Sequence, residues 1–425
     1  MKLMNARGVR DFPPEEKIIR QEIVDSLRTT FEEYGFNPIE TPAIERLDVL
    51  SSKYAGGTEI LKETFKFRDQ GKRDLCLRYD LTVPFARFVG MNPNLKMPFK
   101  RYQIGRVYRD GPIKLGRYRE FWQCDVDVVG TKSMLAEAEL LDIASKVFKK
   151  LGFKVILKVS NRKVLDGIME SSGIKEIKWT DAILTIDKLE KFGKTEVVKE
   201  LKSKGIDDKA IKKVFGIIQK QDTNKKTIDN LKLFLKEGIG AEGLAEMEEL
   251  LKYLRSLKVT IDFDPSLARG LAYYTGPVFE VFLKDSKIKS AVAGGGRYDN
   301  LIGDFLEKKD SYPATGISFG LEVITDALSA KEKKKSVVDV YIISIKTPAE
   351  SLKIAKELRN AGIKTDMDIV GRGISKNLDY ANTYNIPYVL FVGQQELAKK
   401  KVKLRDMKSG KEQLLSVDEV IKKLK

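Results

Sequence analysis

The stretch that most narrows what this chain can fold into runs from Lys100 to Gly130, KRYQIGRVYRDGPIKLGRYREFWQCDVDVVG. Apolar and polar residues alternate over its first half and again over its last third, the period of two that half-buried strands show. Asp110 to Gly116, with Gly-Pro and a later Gly, is turn chemistry, so the stretch is expected as two antiparallel strands joined by a loop. Because alternate strand residues share a face, such a hairpin presents Arg109, Arg117 and Arg119 near its tip and Gln123, Asp125 and Asp127 along one surface. Cations at the tip and acids on the floor suit a zwitterionic or phosphorylated ligand. Ordinary surface charge is the plainer account of most Arg-rich hairpins, but here the arginines are packed among Tyr, Phe and Trp.

The chain contains no histidine, which removes several chemistries at once. No Ser-His or Cys-His nucleophile pair, no histidine-ligated zinc and no imidazole base is available. At 425 residues and 42% hydrophobic it is long enough for two or three domains with their own cores. The net charge of +17 is compatible with a polyanionic partner without requiring one. Cys76 and Cys124 make neither a metal-ligand spacing nor a disulfide framework, and no signal peptide or long apolar run is present. A cytoplasmic protein with reduced thiols and no membrane association is expected.

In chain order, Asp11-Phe12-Pro13-Pro14-Glu15 starts a helix that runs to about Gly35 with an apolar stripe through Ile23, Leu27 and Phe31. Phe36 to Ile44 reads as an edge strand, since Pro38 and Pro42 cannot donate to a ladder, and such a strand is either a dimer seam or simply Pro-capped. Phe65 to Tyr79 is strand, turn, strand, with Pro84 opening a helix; Asp80 and Thr82 sit at the strand exit, where Asp80 suits a helix cap. From about Val164 to Tyr253 the chain is Lys-dense and helical. Leu267 to Phe282, LARGLAYYTGPVFEVF, places Arg269 before Tyr273 and Tyr274 and a strand, and Ala291 to Gly303 carries three successive glycines followed by Arg297. After the charged run Lys331 to Lys335, strands alternate with helices from Val337 onward, the pattern of a small α/β domain.

YRDGPIKLGRYREFWQCD resembles the second signature motif of class II aminoacyl-tRNA synthetases, in the form found in the histidyl-tRNA synthetase family. The opening helix with GFNPIETPAIE is similar to the first motif, LRYDLTVP to the segment that grips the amino acid's ammonium, LARGLAYYTG to a segment peculiar to the histidine-specific family, and PATGISFGLEVI to the third motif. The resemblance implies an α+β fold: a class II antiparallel-sheet catalytic core over residues 1–325, interrupted by a helical insertion at about 164–255, and an α/β anticodon-binding domain over 337–425. It implies activation of histidine by ATP with Mg²⁺, transfer to tRNA-His, and a homodimer formed through the first motif.

By the same resemblance Arg109 and Arg269 clamp the α-phosphate, and Arg117 neutralises the outer phosphates. Asp80, Thr82 and Gln123 hold the ammonium, Asp127 and Tyr274 meet the imidazole with Tyr273 beside them, and Gly56-Gly57-Thr58 lie in a loop near the site. In the terminal domain Gly371-Arg372-Gly373 and Lys399 to Lys401 are candidates for phosphate contacts. No metal ligand is assigned to the protein. Two positions depart from the family pattern: Ala272 stands where an acid is frequent, and Val323 where the third motif ends in Arg. Arg117 and Arg297 are the cations that could replace the latter. A second reading is a synthetase-like histidine sensor regulating histidine biosynthesis, which the terminal domain and the intact Arg109 and Arg269 disfavour. A third, nonspecific RNA binding, explains the charge but not the clustered motifs.

Overall fold

Two ten-residue strands and the glycines that clear space beside them set the architecture. The computed structural model describes residues 3–53, 61–113, 117–269, 273–306, 312–328 and 334–425. These fall into a larger unit reaching Ala327 and a smaller one that begins at Leu328 and also takes in Asp11–Glu22. The expected loop at Gly56-Gly57-Thr58, Ala272 and most of the charged run at Lys331 to Lys335 lie outside the described residues.

The larger unit holds strands β1 (Asn37–Pro38), β2 (Ile44–Arg46), β3 (Lys66–Arg68), β4 (Asp74–Leu77), β5 (Phe99–Tyr108), β6 (Glu120–Val129), β7 (Val155–Asn161), β8 (Asp262–Phe263), β9 (Pro277–Leu283), β10 (Ala293–Arg297) and β11 (Ala314–Gly320). Eight of them form one sheet in the order β1-β5-β6-β11-β10-β9-β7-β8, and β2-β4-β3 form a small second sheet. Every pairing from β5 across to β7 is antiparallel; the two-residue edge strands β1 and β8 pair in parallel, so the sheet is antiparallel at its centre and mixed at its edges. The stretch from Phe36 to Ile44 is not one strand. It divides into β1 and β2 in different sheets, with Thr41 and Pro42 in the connection between them.

One face of the large sheet is covered by helices. Phe31 of the Pro14–Glu33 helix and Phe148 of the Leu135–Lys150 helix meet Phe319 of β11 at ring-centroid distances of 5.7 and 5.9 Å, and all three are fully buried. The opposite face carries Gln123, Asp125 and Asp127, which pair in register with Gly320, Ser318 and Gly316 of β11. The small partners matter, because a Cβ on Gly316 would lie 1.9 Å from the Asp127 Oδ1. Between β7 and β8 the chain from Arg162 to Leu257 contains helices and no strand, as its Lys-dense pattern predicts.

In the smaller unit β12 (Val340–Ile345), β13 (Thr365–Met367), β14 (Tyr388–Gly393), β15 (Val402–Asp406) and β16 (Glu412–Leu415) form a mixed sheet ordered β13-β12-β14-β15-β16. The first three are mutually parallel, linked by the helices Pro348–Asn360 and Ile374–Thr383, and the last two are antiparallel. After β13, the Asp368 carboxylate accepts the backbone N–H groups of Val370, Gly371 and Arg372. That loop places the Arg372 guanidinium 4.8 Å from the Tyr380 ring centroid.

Candidate active site

A cavity of about 770 Å³ opens on the uncovered face of the large sheet. Its floor is Gln123, Asp125 and Asp127 of β6 with Gly294 to Gly296 of β10 and Ser318 of β11, and its rim carries Arg109, Arg117 and Arg269. Asp80, Thr82, Tyr273 and Tyr274 also line it, so the nine residues that the resemblance assigns to holding histidine or ATP surround one space, together with Asp125.

Each rim arginine is held differently. The Arg109 guanidinium lies 4.2 Å from the Tyr79 ring centroid and 5.0 Å from that of Phe121, and its Nε donates to the Tyr79 carbonyl oxygen at 3.3 Å. Arg269 is ion-paired to Glu280 of β9, with Nη1 and Oε1 2.9 Å apart. Its Nη1 fills the space beside Gly294, where a Cβ would come within 1.9 Å of it. Asp80 serves two ends: its Oδ1 accepts the Val83 N–H at 2.9 Å, a cap on the Thr82–Met91 helix, while its carboxylate faces the cavity.

The floor contains buried acceptors with no hydrogen-bond partner among the described residues, namely Gln123 Oε1 and Asp125 Oδ1. Unpaired buried acceptors are costly, and two of them facing a cavity suit an incoming cationic donor such as an ammonium. Burial pushes the Asp125 carboxyl up to about 7, with the charge of Asp127 adding to the rise and Arg101 opposing it. A cation bound there would displace the proton that burial favours.

Asp127 is more deeply committed than its place on the strand indicates. Its carboxylate is 2.7 Å from Nη2 of Arg101, a residue with 0% exposure whose guanidinium lies 4.0 Å from the Phe85 ring centroid. Its other oxygen accepts the Tyr298 hydroxyl at 2.5 Å. Burial raises both the Asp127 carboxyl and the Tyr298 phenol above their ordinary values. The sequence reading placed neither Arg101 nor Tyr298 at the site. Alternation puts Arg101 on the correct face beside Asp127, but nothing local says that it is fully buried there. Tyr298 follows the glycine run directly, and that adjacency was the available signal.

A second cavity of about 310 Å³ adjoins the first and shares Glu63, Arg109 and Arg117 with it. Phe121, Ala291 and Val323 supply apolar lining, and Glu322 a carboxylate. Of the two cations offered as substitutes at Val323, only Arg117 is at this space. Arg297 turns into the core, where its 2%-exposed side chain pairs with the buried Glu137 at 2.8 Å and donates to the Thr131 carbonyl oxygen. It holds the Leu135–Lys150 helix to β10 and is no phosphate ligand. Lys188 and Lys191 of the helical region reach the first cavity from a segment that shows no motif.

An antiparallel sheet open on one face is the fold of a class II aminoacyl-tRNA synthetase, and on that face a long hairpin places arginines over an acidic floor. The histidyl-tRNA synthetase profile matches residues 8–324, and an anticodon-binding domain profile matches 339–425. A protein named histidine–tRNA ligase 1 from Bacillus cereus is 46% identical over 415 residues, covering 97% of this chain and 97% of the relative. A histidine–tRNA ligase from Bacteroides fragilis is 41% identical, covering 98% of this chain and 97% of its own. The crystal structure of histidyl-tRNA synthetase from Nostoc superposes with a TM-score of 0.90 at 30% identity, over 100% of this chain and 99% of that one. This chain belongs to the histidyl-tRNA synthetase family.

Proposed function

We propose that the chain activates histidine with ATP and transfers the histidyl group to the 3′ end of tRNA-His. The observation that carries this reading is the meeting, in one cavity, of unpaired acceptors on Gln123 and Asp125 with three rim arginines. A zwitterion needs the first and a triphosphate the second. A carboxylate oxygen of histidine attacks the α-phosphorus, the bond to the β-phosphate oxygen breaks, and pyrophosphate leaves. A ribose hydroxyl of tRNA then attacks the adenylate carbonyl and AMP leaves. Neither step needs a side-chain nucleophile, which accords with a chain without histidine.

Arg109 and Arg269 stabilise charge at the α-phosphate, Asp80, Thr82 and Gln123 hold the ammonium, and Tyr273, Tyr274 and Asp127 border the ring, Asp127 acting from its buried pair with Arg101. Among the described residues no group of three or more Cys, Asp or Glu side chains is placed to hold a metal ion. Glu63 and Glu322 both line the second cavity, Glu322 with one oxygen accepting the Trp122 N–H, so Mg²⁺ would take its ligands chiefly from phosphate oxygens and water and supply charge neutralisation. We assign residues 1–325 to the catalytic domain with an insertion at about 164–255, and 337–425 to tRNA reading. A homodimer through the first helix and β1, and a cytoplasmic location, complete the reading. No helix of the described residues is long and apolar enough to cross a membrane.

Val323 favours a second reading, the histidine sensor. A protein described as an ATP phosphoribosyltransferase regulatory subunit/histidyl-tRNA synthetase from Bacillus halodurans shares the fold with a TM-score of 0.76 at 22% identity, over 92% of this chain and 98% of that one. ATP–pyrophosphate exchange with each amino acid in turn separates the two: exchange supported by histidine alone fits the ligase, and none with any amino acid fits the sensor.

Arg117 supplies the cation that Val323 does not. Arg117→Ala is expected to raise the KM for ATP by tenfold or more, since a hydrogen bond to a charged group is worth about 1.5–3 kcal/mol. Val323→Arg should be neutral or modestly favourable. Unchanged ATP kinetics in Arg117→Ala would remove the compensation.

A further inference from the structure

Residues 3–10 form neither helix nor strand, yet they are fastened to the connection between β5 and β6 that carries the rim arginines. A turn from Ala6 to Val9 closes with the Val9 N–H donating to the Ala6 carbonyl oxygen at 3.2 Å, and Gly8 takes its third position at a φ of 87°, which side-chain-bearing residues rarely adopt. The Gly8 carbonyl oxygen then accepts the Arg119 N–H at 2.9 Å. Two residues on, the Arg10 guanidinium lies over the Tyr118 ring, 4.7 Å from its centroid. The first of these contacts needs glycine for room as well as for φ. A Cβ on Gly8 would lie 2.7 Å from Cγ and Cδ of Arg119 and 3.1 Å from Cδ1 of Ile113.

Arg119 carries the attachment inward. Its N–H goes to Gly8, its carbonyl oxygen accepts the Arg109 N–H at 2.9 Å, and its Nη2 is 3.0 Å from Oδ1 of Asp110. On the opposite limb of the connection the Asp110 N–H donates to the Glu63 carbonyl oxygen at 2.7 Å. The residues held in this way border the cavities: Arg109 and Arg117 line both, and Tyr118 lines the second. Gly8 and Arg10 line neither, so whatever they do for a ligand there is done through these neighbours.

We propose that Gly8 and Arg10 are positioning residues, and that the N-terminal segment is a strap which sets Arg109, Arg117 and Tyr118 for ATP before ATP arrives. The proposal rests on the reading of Arg109 and Arg117 as phosphate ligands. A connection that must order itself around a triphosphate loses conformational freedom on binding, and a contact already made in the free protein lowers that cost. Tyr118, with Arg10 over its ring, is held as a wall of the second cavity. Arg109, tied through the Arg119 backbone to Gly8, is held at a fixed distance from the strap. The histidine floor is independent of this arrangement, because Gln123, Asp125 and Asp127 lie within β6 and are paired to β5 on one side and β11 on the other.

The test is histidine-dependent ATP–pyrophosphate exchange by the full chain and by Gly8→Val, Arg10→Ala, Tyr118→Leu and the Arg10→Ala, Tyr118→Leu double variant, with thermal unfolding of each. Arg10→Ala is expected to raise the KM for ATP about three- to tenfold, the effect of losing a cation–aromatic contact, and to leave the KM for histidine unmoved. Gly8→Val should lower kcat about tenfold or more, because displacing Arg119 displaces Arg109 with it. In the Tyr118→Leu background Arg10→Ala should cost nothing further, since the contact it removes is already gone. If Gly8→Val folds poorly, Arg10→Ala and the double variant decide. Wild-type ATP kinetics in folded Gly8→Val and Arg10→Ala overturn the proposal, as does a rise in the KM for histidine equal to that for ATP, or an Arg10→Ala effect that persists undiminished beside Tyr118→Leu. When those results come with the expected losses in Arg109→Ala and Arg117→Ala, the phosphate reading stands and the strap alone fails. Unaltered ATP kinetics in Arg109→Ala and Arg117→Ala overturn both.

Discussion

Asp127→Ala should destabilise the larger unit by about 3–5 kcal/mol, because it strips the partner from a fully buried arginine. Arg101 has no exposed surface, and its charge is answered within hydrogen-bonding distance by Asp127, 2.7 Å away. The Tyr298 hydroxyl loses its acceptor in the same substitution. The variant is expected to melt well below the wild type and to lose histidine-dependent exchange along with its fold. Replacing Arg101 and Asp127 together by apolar residues of similar volume should recover most of the stability and none of the activity, since removing a whole buried pair costs far less than breaking it. Denaturation with exchange kinetics on the same preparations checks this. An Asp127→Ala variant that melts like the wild type and loses only its preference for histidine would return Asp127 to a purely ligand-facing role.

The second large effect is expected at Arg109. Arg109→Ala should reduce the kcat of exchange by about a hundred- to a thousandfold, the loss seen when one preorganised donor to a developing oxyanion is removed. Its melting profile should change little, because the side chain is half-buried at a cavity rim and its contacts are to the faces of Tyr79 and Phe121. Arg109→Lys should rescue poorly: an ammonium keeps the charge but neither stacks as a plane nor presents two parallel donors. Rapid-quench measurement of adenylate formation isolates this step. A lysine variant with near wild-type rates would show that charge alone suffices there.

The hairpin was legible because its information is local. A period of two assigns each residue to a face, and turn residues mark where the face ends, so Arg109, Gln123, Asp125 and Asp127 could be grouped before any fold was known. Depth was not legible. Arg101 stands on β5 and Arg109 one residue past its end at even spacing, yet one is fully buried beside the floor and the other at the rim, a difference made by Phe85 and Tyr298 from elsewhere in the chain. Arg297 misleads for a related reason. After a glycine run an arginine reads as a free cation, and only the packing of the Leu135–Lys150 helix reveals Glu137 as its partner. The presence of Lys188 and Lys191 at the cavity was invisible, since a charge-laced helix looks the same whether its charges meet water or a cavity. In the Phe36 to Ile44 stretch the prolines were read correctly as edge signals, but they also divide it between two sheets.

The measurement that bears most directly on the whole account is aminoacylation of a tRNA-His transcript by the purified full chain, with labelled histidine, ATP and Mg²⁺, against the other amino acids and a transcript of different anticodon. The account predicts histidine attached at the 3′ end of tRNA-His, dependent on ATP and abolished in Arg109→Ala. Histidine binding without adenylate formation or transfer, or charging with a different amino acid, would contradict it.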